Sequence, residues 1–144
     1  MNNPLSSNPD DALVPWPDGC TGHRIYSMLC EHDARWEADC AHDYLNAYDR
    51  RNLVAGRAWS AAAAREAAAE FHRVATGRVT IVLGAQVWRA LRLPADVPVL
   101  GAHRECLGTE WHRVPHPSGL NRWYNVPGNR QAAAKLIHEL AGEA

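Results

Sequence analysis

The sequence contains no run of apolar residues near the roughly eighteen that a membrane-spanning helix needs, which excludes a helical membrane protein. It has no marked excess of basic charge: the formal net charge is -1 and the pI near 6.7, so an indiscriminate nucleic-acid coat is excluded. Lysine is almost missing, Lys135 being the single one among 15 basic residues. Arginine suits bidentate phosphate contacts, but an Arg- and Ala-rich composition equally follows from a GC-rich coding sequence and carries little functional weight. The four cysteines, Cys20, Cys30, Cys40 and Cys106, form no C-x-x-C pair and have no regular histidine partner. That spacing argues against structural zinc, and scattered thiols of this kind read as reduced and partly buried, so no metal or cofactor is expected. Met1-Asn2-Asn3-Pro4 has neither the basic start nor the apolar stretch of a secretory signal, and the expected address is the cytoplasm.

What is present is enough for one domain. A chain of 144 residues with 47% hydrophobic and 22% charged residues can bury a real core but is too short for two ordinary domains. Charge is unevenly spread: acids dominate from Glu31 to Asp49, whereas Arg113, Arg122 and Arg130 stand in a C-terminal stretch free of acids. That stretch can face phosphate, although any one of these arginines taken alone is as well explained as solvated surface.

Residues 1–20, rich in Asn, Pro, Ser, Asp and Gly, read as a loop. Helical spacing of Ile25, Met28 and Leu29 after a capping Thr21 predicts a helix to Cys30, and Trp36, Cys40, Tyr44 and Tyr48 predict a second over 33–48. Asn52 to Gly56 reads as a short strand, and Ser60 caps an alanine-rich helix to Ala75. Val79 to Gly84 is a β-branched strand followed directly by a helix over 85–91, and His112 to Val114 a last short strand. Pro127 to Ala141 forms the closing helix. Strands alternating with helices predict an α/β fold, a parallel sheet of about three to four strands with helices over both faces.

In such sheets ligands sit beyond the carboxyl ends of the strands, which directs attention to the loop Pro115-His116-Pro117-Ser118-Gly119-Leu120-Asn121-Arg122. Prolines stiffen its entry, Ser118-Gly119 lets backbone approach a phosphate, and His116 supplies a polar head. A proline-stiffened turn is the plain alternative. The string resembles the C-terminal signature of the uracil-DNA glycosylase superfamily, a His-Pro-Ser loop followed by an apolar wedge. Ile81-Val82-Leu83-Gly84 with its helix is similar to the strand and helix that precede that loop in the family. Asn52 stands where the family places an asparagine that reads a pyrimidine edge, a task an amide can do by donating to a carbonyl while accepting from a ring N–H. Pro15-Trp16-Pro17-Asp18-Gly19 resembles the segment carrying a base-stacking aromatic, and Asn3-Pro4 the first motif, whose asparagine orients water.

The resemblance implies a single small three-layer α/β/α domain over 1–144 that flips a pyrimidine base out of DNA and hydrolyses its N-glycosidic bond. Asn3 and His116 would be catalytic, Trp16, Asn52 and His116 would hold the base, and Ser118, Gly119, Leu120, Asn121 and Arg122 would contact DNA. Only Met1 and Asn2 stand before Asn3, where the family has its first strand, so the sheet is expected to close up around the remaining strands, to recruit a partner or a second copy, or to be completed by residues that a different start codon would add. Two other outcomes fit the same residues: a reader of bases without hydrolysis, and a divergent enzyme acting on hypermodified pyrimidines.

Overall fold

The structure is a computed structural model that describes residues 12–32, 44, 45 and 47–143. Most of the expected 33–48 helix lies outside these residues, and so does Asn3.

The described residues form a mixed α/β fold with four α-helices and a three-stranded sheet. Helix α1 (Thr21–His32) turns Ile25, Met28 and Leu29 inward, the stripe its spacing predicts. Helix α2 (Ala61–Ala75) begins where Ser60, in extended conformation, accepts the Ala63 N–H through its hydroxyl at 3.0 Å, satisfying one of the donors a helix start leaves open. Alanines 63, 64 and 75 are buried, and side chains this small let the helix lie close to its neighbours. Strand β1 (Val79–Leu83) and helix α3 (Ala85–Ala90) follow within two residues of the expected bounds. Helix α4 (Asn129–Glu143) closes the chain and packs along α1, with Arg130 holding Glu31 bidentately at 2.6 and 2.9 Å. That guanidinium keeps the Glu31 carboxyl below the usual carboxylate range.

Two strand expectations are corrected. Residues 52–56 are irregular: Leu53 and Val54 are buried, yet their backbone joins no ladder. Their hydrophobicity reported burial, which does not require strand pairing. The other correction is β2 (Gly101–Arg104), which pairs antiparallel with β3 (Glu110–Val114) through the register Gly101↔Arg113 to Arg104↔Glu110. Its sequence, Gly-Ala-His-Arg, has no apolar alternation to announce it. The sheet is therefore mixed and not wholly parallel, in the order β1-β3-β2. The tight link from Glu105 to Thr109 permits only an antiparallel return, because a parallel partner needs a crossover of a dozen residues or more. β1 and β3 remain parallel, with Val79 opposite Glu110 and Leu83 opposite Val114.

Alternate residues of these two strands feed two apolar clusters. Val82 and Trp111 join Leu53, Val54, Ala63, Ala64 and Trp88, while Ile81, Leu83 and Val114 join Ile25, Met28, Leu29 and Ile137. The period of two along a strand separates them. The edge of β1 away from β3 has no strand partner among the described residues, and the whole of β1 borders a cavity.

Candidate functional site

The parallel pair ends in two structures that meet. β1 runs into Gly84, whose N–H donates to the Val114 carbonyl at 2.8 Å, and β3 runs through Val114 into Pro115 and His116. Gly84 has φ +92° and ψ 158°, a region essentially closed to residues with a Cβ. A Cβ built there would lie 3.0 Å from the His116 Cβ, so the missing side chain is what lets the histidine loop lie against the end of β1.

A cavity of ≈ 1080 Å³ opens from this point along β1. Its walls include Asn52, Leu53 and Val54 from the irregular segment, Phe71 and Val74 from α2, Ile137 and Leu140 from α4, and Gly84, Gln86 and His116 at the strand ends. The lining is mainly aliphatic and aromatic with a few polar heads, the composition usual for a small-molecule site. The volume slightly exceeds the range of about 300–1,000 Å³ such sites occupy, because the cavity also follows the open edge of β1. Within the protein neither the Asn52 amide nor the His116 ring makes a hydrogen bond among the described residues, so both are available to a ligand. His116 as a residue is exposed at the cavity mouth, but packing of part of its ring away from water lowers its pKa below the ordinary imidazole value, so at pH 7 it is mainly neutral, with one N–H to give.

The loop that carries His116 is braced by its own residues. Asn121 donates through Nδ2 to the His116 carbonyl at 2.9 Å and accepts the Trp123 N–H through Oδ1 at 3.1 Å. Its amide is thus engaged within the loop, which makes Asn121 a positioning residue. Ser118 is half-buried; Leu120 is 93% exposed and Arg122 also faces solvent without a partner among the described residues. The structure brings Asn52 and His116 to one cavity but does not bring Trp16 there. Trp16 is 53% exposed, follows Pro15 in the loop before α1, and precedes a cis peptide to Pro17.

Sequence reasoning missed Gly84 and Gln86 as site residues. Gly84 was legible as a strand end; its contact with His116 depends on the β1–β3 register. Among the described residues no cluster of three or more His, Cys, Asp or Glu side chains could hold a metal, and no helix is long and apolar enough to cross a membrane. No family model, curated protein or solved structure matches the chain.

The lowered His116 pKa has a consequence for stability. An unfolded imidazole takes up a proton near pH 6.5, whereas the folded one resists until lower pH, so between those values the unfolded chain binds more protons. Stability is therefore fully present above about pH 6.5 and declines as the pH falls through the lowered value. Urea unfolding from pH 7.5 to 5 is expected to show a shallower decline for His116→Gln than for the wild type. Identical pH profiles would mean the histidine is not desolvated.

Proposed function

We propose that this chain is a small protein of the uracil-DNA-glycosylase type, a three-layer α/β/α domain that takes a pyrimidine base of DNA into the cavity and releases it by hydrolysis of the N-glycosidic bond. The observation that carries the reading is that two unengaged polar heads, the Asn52 amide and the neutral His116 imidazole, line one largely apolar cavity that follows β1 to its carboxyl end. Asn52 reads the edge of the base by donating to a carbonyl and accepting from a ring N–H, which favours uracil or thymine over cytosine. His116 donates its N–H to the oxygen on which negative charge develops as the base departs, a preorganised donor in a partly dry site. Leu120, exposed on the same loop, fills the place the base leaves, and Ser118 and Gly119 bring backbone to phosphate. Asn3 orients the attacking water.

One observation favours a second reading, in which the cavity holds the base without cleaving it. Asp49 is the one carboxylate among the described residues that line the cavity, and Arg51 and Arg78 each approach it at 3.4 Å. A carboxylate so placed is occupied by cations and is poorly suited to activate water.

Base release from oligonucleotides carrying uracil, mismatched thymine or 5-hydroxymethyluracil separates the two. Asn52→Ala and His116→Ala are each expected to slow release by about a hundred- to a thousand-fold. Folded wild-type protein that binds these oligonucleotides but frees no base would establish the reader; release unaffected by either substitution would remove the cavity from the mechanism.

A further inference from the structure

Arg24, at the end of the first turn of α1, is a cation without a counter-ion among the described residues. Its Nε donates to the Gly19 carbonyl at 3.1 Å, which fixes the head of the side chain, and its two Nη groups have no partner among the described residues. The nearest acid in sequence, Asp18, approaches the ring of His23 instead, at 3.4 Å. The guanidinium lies over Gly119 of the histidine loop: a Cβ there would stand 2.8 Å from Nη2 and 3.2 Å from Cζ. A side chain at 119 would therefore press on the end of the Arg24 side chain, which spans from the Trp16 loop to the Ser118–Leu120 turn.

What gathers around it is a set of unused donors between two apolar projections. The backbone N–H groups of Gly119 and Leu120 have no acceptor among the described residues, and the Ser118 hydroxyl is likewise unengaged. Trp16 and Leu120, both exposed, project from the two loops that Arg24 joins. A fixed planar guanidinium beside free backbone N–H groups matches the oxygens of a phosphodiester. Exposed indole and leucine side chains offer surfaces on which bases stack or which press between them.

We propose that Arg24 holds a backbone phosphate of the bound nucleic acid together with the Ser118–Leu120 turn, and that Trp16 stacks on a base outside the cavity, not on the base within it. The proposal rests on the reading that this mouth faces a nucleic acid, but it does not require hydrolysis. Arg24 sets the phosphate register from α1, and its guanidinium lies against the histidine loop at Gly119.

The test is binding of a fluorescein-labelled 16-nucleotide DNA without uracil or mismatch, as single strand and as duplex, by anisotropy from 20 to 200 mM salt. Arg24→Gln is expected to weaken binding about ten-fold at low salt and to reduce the slope of log affinity against log salt by about 0.7–0.9, one phosphate contact. Gly119→Ala, which displaces the guanidinium, should reproduce that change. Leu120→Ala and Trp16→Ala should weaken binding with the slope unchanged, since they lose apolar contact and not an ion pair. Circular dichroism and thermal melting confirm that each variant is folded. An unchanged slope in folded Arg24→Gln, or no binding of either form by wild type at 20 mM salt, would overturn the proposal. Base release with an unchanged slope overturns Arg24's role alone, and a reduced slope without base release leaves that role standing while removing hydrolysis.

Discussion

Gly84→Ala is expected to lose stability and function together. The residue sits in a backbone region that costs of order 1–3 kcal/mol for a residue with a Cβ, at φ +92° and ψ 158°. The added methyl also meets the His116 Cβ at 3.0 Å and its Cδ2 at 3.6 Å, and those atoms belong to a loop stiffened by Pro115 and Pro117. Relief requires the histidine loop to move off the end of β1, which carries the imidazole away from its place on the cavity wall. Urea unfolding should show a lower midpoint with an unchanged denaturant slope, and base release should fall at least as far as in His116→Ala. His116→Gly in the same background removes the steric part, so the double variant should regain some stability while regaining no release. A Gly84→Ala protein as stable and active as wild type would show that the loop does not rest on this glycine.

The largest expected loss of stability is that of Trp111→Ala, in which the midpoint in urea falls by an amount equivalent to about 3–5 kcal/mol. Trp111 is fully buried at the centre of the sheet, joins the cluster formed by α2, α3 and Val82, and meets His72 edge-on with ring centroids 5.1 Å apart. Deleting it opens a void beside an existing cavity, in a place where the surrounding strands hold their positions and do not collapse to fill it. Its indole N–H has no hydrogen-bond partner among the described residues, and the burial of such a group is itself unfavourable. Trp111→Phe keeps most of the ring and removes that donor, so its loss should stay within about 1.5 kcal/mol. Comparable losses in the two variants would mean the indole nitrogen is satisfied in solution and is needed there.

These effects show how unevenly the molecule was written into its sequence. Helical elements were legible where a local signal set them: Ser60 and the alanines of α2, and the Ile25-Met28-Leu29 stripe of α1, whose capping residue is not Thr21, already inside the helix, but Cys20, the Sγ of which accepts the His23 N–H at 3.4 Å. The same holds for Val79 to Leu83, because a β-branched run next to a glycine has few other solutions. Strand pairing was a different matter. Asn52 to Gly56 has strand composition and no ladder, whereas Gly101 to Arg104 has a ladder and no strand composition. A ladder is a contract between two segments, and neither segment states it alone.

By itself, then, the sequence determined an α/β fold, the start of α2 and the buried stripe of α1, the β1 strand and the stiffened loop at His116, since each depends on residues adjacent in the chain. The tertiary structure decided the rest: the antiparallel turn of β2, the place of Asn52 and His116 on the walls of one cavity, the fit of Gly84 beneath the histidine, and the reach of Arg24 to Gly119. All four join segments far apart in sequence or set their direction, and their geometry follows from how strands and helices pack, which no local pattern of residues encodes.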